Sequence, residues 1–260
     1  TAIGRGALAN QNFTTATDTY NTAVGYNAGA AVTTGIFNTL IGGLAGDSLS
    51  DADFNVAIGQ GALTDDTLGS SSIAIGRQAL TQQNFTTATN VYNVAVGHTA
   101  GFSVTTGVNC TFIGGLAGDA ITTANNNVAV GTSALGAETS GANCTAIGTN
   151  TLSSQNVAGG TNVQNTAVGY DAGTSVTSGV QNTFLGAYAG GAVTTGSQNT
   201  LIGALCCDNL TTGSNVVALG RNLSPSAVNI TEEIIIGTTI TGGGHDTVRI
   251  GTGNGGTATL

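Results

Sequence analysis

The chain has 260 residues, with 42 Gly, one Pro, no Trp and no Met, and 40% of it is hydrophobic. This composition is too apolar for a solvated linker, and no run of about 18 apolar residues predicts a transmembrane helix. The formal charge of −9 opposes binding to nucleic acid and to an anionic membrane surface. We therefore expect a packed structure of small residues, with no nucleic-acid partner and no membrane insertion.

A motif of two or three apolar residues followed by Gly recurs along the whole chain. Its glycines stand at positions 4, 25, 42, 59, 76, 97, 114, 131, 148, 169, 186, 203, 220, 237 and 251. The spacing is mostly 17 residues, and it is 21 residues at every fourth step. The repeat predicts an all-β protein, a β-solenoid or β-roll of about fifteen coils, with a longer coil at each fourth position. We assign residues 1–223 to the repeat and residues 224–260 to terminal coils and a cap. Because the chain opens inside a repeat, we also expect that it is a fragment or a processed chain.

Each coil is expected to contain a short strand directly before its motif Gly. The residue before the Gly is Ile, Val or Leu in every coil, as at Ile3 and Ile41, and we expect this position to face the core. Because neighbouring strand residues point to opposite faces and both faces are partly apolar, one face is left for an interface. Self-association, most simply as a closed homotrimer, follows from this expectation.

Two further positions follow the coil period. The fourth residue before the Gly is Asn at positions 21, 38, 55, 93, 127, 165, 182 and 199, which predicts a ladder of Asn side chains at a turn. The fourth residue after the Gly runs Leu8, Gly29, Gly46 and Leu63, and this fourfold rhythm recurs in the following coils. Duplication of a block of four coils accounts for the rhythm.

The strand segments resemble the repeats of a known family. Residues 21–25, 55–59 and 127–131 resemble the Asn-Ser-Val-Ala-Ile-Gly repeats of trimeric autotransporter adhesin heads, and residues 233–237 and 242–251 are similar to the segment that often precedes the self-cleaving chaperone of phage tail fibres. The resemblance implies a homotrimer of left-handed β-rolls. The 17-residue coils are longer than is usual in autotransporters, which favours a phage or virion fibre.

The function implied by this resemblance is structural. We expect an extracellular segment of a virion tail fibre or a cell-surface adhesin, a stiff trimeric spacer that presents loops to a host glycan or protein. Exposed sheet edges at uncapped terminal coils would also permit end-to-end filaments. We expect neither an enzyme nor a bound cofactor, because no Ser/His/Asp set can form from coils that do not touch.

The longer coils provide the candidate recognition residues. Their insertion segments, residues 9–20, 81–92 and 153–164, are expected to protrude on one side, and they carry Phe13, Tyr20, Phe85 and Tyr92. Exposed aromatic rings stack on sugars, whereas the alternative is that the rings tuck under the loop.

Weaker candidates are the acids and the Cys and His residues. Asp47, Asp51, Asp65 and Asp66 lie on two adjacent coils, and we consider a cation site, the carboxylates of a glycan-cleaving tailspike and a solvated turn. Cys110 and Cys144 stand in the Asn position and are expected to be free thiols. Cys206 and Cys207 are expected to pack in the interior. His98 and His245 are too far apart in the repeat to share a metal ion. A Thr/Ser ladder at Thr33, Ser50 and Thr67, and at Thr105, Thr122 and Thr139, suggests an ice-binding solenoid, but the longer coils interrupt it.

Overall fold

The computed structural model describes residues 1–159, 162–252 and 256–258, and no helix occurs among them. The chain divides into two compact units, Thr1–Asn127 and Val128–Leu260, and each is a parallel β-solenoid. The units contain about 15 turns with a period of about 17 residues, which confirms the predicted all-β solenoid. Parts of the third insertion segment (160 and 161) and of the predicted cap (253–255, 259 and 260) lie outside the described residues.

The first unit has one long parallel sheet and one short strand pair. Its strands are β1 (Ala2–Ile3), β2 (Thr22–Val24), β3 (Thr39–Ile41), β4 (Val56–Ile58), β5 (Gly69–Ser70), β6 (Ile73–Ile75), β7 (Thr89–Asn90), β8 (Val94–Val96) and β9 (Thr111–Ile113). Strands β1, β2, β3, β4, β6, β8 and β9 pair in that order, each with the strand of the next coil. Strands β5 and β7 pair with each other in a separate two-stranded sheet.

The second unit continues the same pattern within its own residues. Its strands are β10 (Val128–Val130), β11 (Thr145–Ile147), β12 (Thr166–Val168), β13 (Thr183–Leu185), β14 (Thr200–Ile202), β15 (Val217–Leu219), β16 (Ile234–Thr238), β17 (Val248–Thr252) and β18 (Gly256–Ala258). Strands β10 to β17 pair in parallel in chain order, and β18 pairs with β17 in the antiparallel direction.

The middle residue of strands β2 to β4, β6 and β8 to β15 fills the lumen of its coil. Ala23 pairs with Leu40 and Leu40 with Ala57, and all three side chains are fully buried. The residue before the Gly lies on the opposite face, and Ile41 and Ile113 are 37% and 40% exposed. The prediction that this residue faces the core is therefore wrong, because burial of the middle residue turns both of its neighbours outward.

Large strand-centre residues explain the Leu and Gly rhythm four residues after each motif Gly. A Cβ atom added at Gly101 or Gly118 would lie 2.8 or 2.4 Å from the ring of Phe112. Where two successive strand centres are Ala, as at Ala57 and Ala74, a Leu such as Leu63 fills the lumen instead. The rhythm therefore keeps the packed volume of neighbouring coils nearly constant, as close-packed interiors require.

The motif Gly and the Asn ladder hold successive coils together. Gly42 has a φ of +135°, and a Cβ added there would lie 2.5 Å from the carbonyl oxygen of Gly59, so only Gly fits. The Oδ1 atom of Asn21 accepts the backbone N–H of Asn38 at 2.8 Å, while its Nδ2 atom donates to the carbonyl of Gly35 at 2.7 Å. The same pair of bonds recurs at the following Asn residues, which confirms the predicted ladder.

Candidate interaction surfaces

The outer strand face is a regular surface of each unit. We define it by the first and third residues of strands β2 to β4, β6 and β8 to β15, which are all Thr, Val, Ile or Leu. In the first unit these residues are Thr22, Val24, Thr39, Ile41, Val56, Ile58, Ile73, Ile75, Val94, Val96, Thr111 and Ile113. In the second unit they are Val128, Val130, Thr145, Ile147, Thr166, Val168, Thr183, Leu185, Thr200, Ile202, Val217 and Leu219.

This face has the character of a binding surface. It contains no ionisable side chain, and Ile113 and Leu185 expose 40% and 46% of their surface. Like side chains repeat at the strand spacing of about 4.8 Å, so the apolar groups form continuous strips instead of scattered points. Continuous apolar strips on a protein surface usually mark an interaction site.

An aromatic column borders the outer strand face in the first unit. It consists of Tyr20, Phe37 and Phe54, each of which stands two residues before a strand. The ring centroids of neighbours are 5.2 and 5.1 Å apart, and the ring planes are 12° and 8° from parallel. Sequence reasoning identified Tyr20 but missed Phe37 and Phe54, although their 17-residue spacing carried the signal.

The other predicted recognition residues separate into two groups. Tyr92 is 57% exposed, as the recognition hypothesis requires. Phe85 is only 8% exposed, and Phe13 is partly buried. Phe85 thus follows the alternative in which the ring tucks under the loop.

Asp66 is a buried hydrogen-bond acceptor at the base of the second insertion segment. One carboxylate oxygen accepts the backbone N–H groups of Gly69 and Phe85 at 3.0 Å each, and the other accepts Nε2 of Gln83 at 2.6 Å. Gln83 in turn accepts Nδ2 of Asn93 at 2.9 Å. The expectation of a solvated turn is wrong for Asp66, whose pKa is raised by burial.

The second unit contains the same arrangement with Glu in place of Asp. Glu138 is buried and accepts Nε2 of Gln155 at 2.9 Å as well as the backbone N–H groups of Ser140 and Val157. Gln155 accepts Nδ2 of Asn165 at 2.7 Å. We call each set, Asp66 with Gln83 and Asn93 or Glu138 with Gln155 and Asn165, an acid–amide clamp.

The remaining acids of this cluster have separate surroundings. The carboxylate of Asp51 accepts the hydroxyl of Thr34, and Asp65 is exposed. Asp47 is half-buried, its Oδ1 atom has no hydrogen-bond partner, and burial, with a smaller contribution from Asp65, raises its pKa. Within the described part of the chain, no group of three or more His, Cys, Asp or Glu residues has a metal-binding arrangement.

The cysteines are buried within the fold. Cys110, Cys206 and Cys207 are buried and outside any disulfide, and burial raises the pKa of Cys110 to about 11. The Cys110 backbone N–H donates to Oδ1 of Asn93, as an Asn in the ladder would. Buried Cys144 accepts a hydrogen bond from Gln155.

The two histidines have unrelated partners. Nε2 of His98 lies 3.0 Å from Nη1 of Arg77, and Nδ1 of His245 lies 3.0 Å from the hydroxyl of Thr231. Each contact is on the surface.

The Thr/Ser ladder bonds to the solenoid's own backbone. The hydroxyls of Thr33, Ser50 and Thr105 donate to carbonyl oxygens of the next coil at 3.3, 3.1 and 3.2 Å. Hydroxyls that are occupied in this way have less capacity to order water, so this observation does not favour ice binding.

Comparisons with protein-family models, with curated proteins and with solved structures give no match. The described residues include no helix that is long and apolar enough to span a membrane.

Proposed function

We propose that the chain is a structural segment of an extracellular fibre or adhesin, in which three copies associate through the outer strand face and present loops for attachment. The observation that carries the proposal is the uncharged apolar strip on each unit, which includes Ile41 and Ile113 in the first unit and Leu185 in the second. The resemblance of the strand repeats to adhesin heads and phage tail fibres supports the same function.

A second copy of the chain is the partner that fits this strip best. Each copy has a formal charge of −9, yet none of that charge lies on the outer strand face. Another outer strand face is equally uncharged and has the same repeat of about 4.8 Å, so side chains of two copies interdigitate along its length. Three copies around one axis cover all three faces and leave no apolar strip in water, as closed symmetry requires.

The insertion segments provide the surface for attachment in this proposal. The first two segments, residues 9–20 and 81–92, lie in the first unit four coils apart, which corresponds to about 19 Å. Tyr92 is exposed, and the acid–amide clamp of Asp66 fixes the base of its segment. A host glycan or surface protein is the proposed ligand, and stacking of uncapped terminal coils would extend the assembly into a filament.

The test is the solution mass of the full chain, measured by light scattering and sedimentation equilibrium. We expect a trimer for the wild type and monomers for the double variant Ile41→Lys and Ile58→Lys, because two charges per copy would be buried in the interface. Thr106→Lys is the matched control, since Thr106 is exposed and not part of the outer strand face. A monomeric wild type, or equal dissociation of the variant and the control with unchanged circular dichroism, contradicts the proposal.

A further inference from the structure

The aromatic column occupies a position that its own coil does not require to be aromatic. Tyr20, Phe37 and Phe54 have φ values of 49°, 60° and 60°, in the left-handed region where bulky residues are strained. Other coils place Asn109 and Asn126 at this position, with a φ of 59° in both. The rings nevertheless remain 67%, 42% and 55% exposed. This exposed apolar area indicates that something outside the coil contacts these rings.

Gly43 indicates where that contact occurs. It lies two residues after β3, while Phe37 lies two residues before β3, so they border the outer strand face on opposite sides of one coil. Unlike Gly42, Gly43 is outside the left-handed region, and a Cβ added there would meet no atom closer than 4.0 Å. The isolated coil therefore does not require Gly at this position, and the missing side chain leaves room for another chain to approach the backbone closely.

The orientation of the rings favours a protein partner over a sugar. Because the planes of neighbouring rings are within 12° of parallel, the faces of Phe37 are covered by Tyr20 and Phe54, and its edge points outward. Sugars stack on ring faces, whereas ring edges pack well against backbone and small side chains. A Gly on a neighbouring chain provides such a surface.

We propose that in the homotrimer the Phe37 ring of each copy packs over Gly43 of the next copy. The proposal rests on the proposed function, because it requires three copies with their coils in register. In a cyclic trimer, one border of the outer strand face of each copy contacts the opposite border of the outer strand face of the next copy. Phe37 and Gly43 lie on these two borders, so they meet once at every interface between copies. Tyr20 then faces Tyr26 of the next copy, and Phe54 faces Gln60, at the coils on either side.

Disulfide trapping tests this contact. The double variant Phe37→Cys and Gly43→Cys is oxidised under mild conditions and run on a non-reducing gel, where we expect covalent trimers. The matched control joins Phe37→Cys with Gly115→Cys, which occupies the same coil position as Gly43 but lies four coils away, about 19 Å and beyond the roughly 7 Å that a disulfide spans. The yield of covalent trimer should be at least about tenfold higher for the first pair. The wild type gives the background from native thiols, which should be low because Cys110, Cys206 and Cys207 are buried.

The possible outcomes separate this inference from the proposed function. A monomeric wild type overturns both. A trimeric wild type in which the two Cys pairs cross-link equally overturns only the contact between Phe37 and Gly43. A second comparison uses Gly43→Glu and Gly115→Glu, which should both fold because a Cβ fits at either position. Gly43→Glu should dissociate the trimer at a protein concentration at which Gly115→Glu remains trimeric, and the reverse order also overturns the contact.

Discussion

The acid–amide clamp shows how single buried polar residues adapt a regular solenoid to its insertion segments. In ordinary coils, the position seven residues after the motif Gly is apolar and buried, as at Val32 and Leu49. At Asp66 the same position carries a carboxylate, and the longer coil above it carries Gln83. Three donors satisfy the two oxygens, which offsets much of the cost of burying the charge.

Substitution of Asp66 tests the clamp. Asp66→Val restores the apolar residue of ordinary coils but leaves the N–H groups of Gly69 and Phe85 and the Nε2 donor of Gln83 without an acceptor. We expect the free energy of unfolding to fall by about 2–4 kcal/mol, measured by urea denaturation. Leu49→Val at the equivalent position should cost only about 1 kcal/mol. An Asp66→Val protein as stable as Leu49→Val would show that the clamp contributes little.

Asp47 provides a prediction about pH. Burial raises its pKa above the usual 3.8, so its contribution to stability is fully present below that value and is lost as the pH rises through the folded-state pKa. Thr64 occupies the same position in the next coil, so Asp47→Thr should be tolerated. We expect the urea midpoint of the variant to exceed that of the wild type at pH 7, and the difference to shrink towards pH 4. A difference that grows on acidification would contradict the raised pKa.

At the scale of the coil, the strand centre and the residue four after the motif Gly share one volume. Phe112 occupies the space next to both Gly101 and Gly118, whereas a Leu such as Leu63 is used where the strand centres of a coil and of the next coil are both Ala. Leu and Gly adopt the same backbone conformation at the position four residues after the motif Gly, since Leu63 has a φ of 53° and Gly118 a φ of 57°. Packing and not backbone conformation therefore decides between Gly and Leu here.

A double-mutant cycle tests this shared volume. Phe112→Ala should lower the free energy of unfolding by about 3–5 kcal/mol through the cavity that it leaves. Gly118→Leu should also destabilise, because its Cβ would lie 2.4 Å from the Phe112 ring. The double variant should recover about 2 kcal/mol or more of the summed loss, as measured by urea denaturation. The control combines Phe112→Ala with Ala129→Gly, which adds no side-chain volume to the cavity. Simple additivity of Phe112→Ala and Gly118→Leu would refute the packing argument.

The fold was more predictable from the sequence than the surfaces were. The coil period and the Asn ladder could be predicted because motif Gly and Asn38 act through backbone geometry and local hydrogen bonds. The orientation of the strand could not, because Ile41 and Leu40 are both apolar and alternation alone does not say which faces inward. Asp66 was misread because a run of acids in sequence resembles a solvated turn, although Gln83 in the next coil and the repeat at Glu138 carried the signal of a buried network.

For the whole molecule, charge and apolar surface act in opposite directions on assembly. The formal charge of −9 per copy becomes −27 for three copies (3 × −9), and this repulsion opposes association at every step. The outer strand face contributes no ion pair that salt would weaken, since all of its side chains are Thr, Val, Ile or Leu. Salt therefore acts mainly on the repulsive part of the free energy of association.

The proposed trimer should consequently become more stable as salt is added. Between 0.01 and 1 M NaCl the screening length falls from about 30 to about 3 Å, which removes most of the repulsion between copies while the apolar contact is retained. We expect sedimentation equilibrium to show a dissociation constant that decreases across this range, with a further decrease in sulfate, which strengthens apolar burial. The Ile41→Lys and Ile58→Lys variant is the control, because the loss of apolar contact should keep it monomeric at every salt concentration. A trimer that dissociates as salt rises would mean that ion pairs hold the copies together, and the outer strand face would then not be the interface.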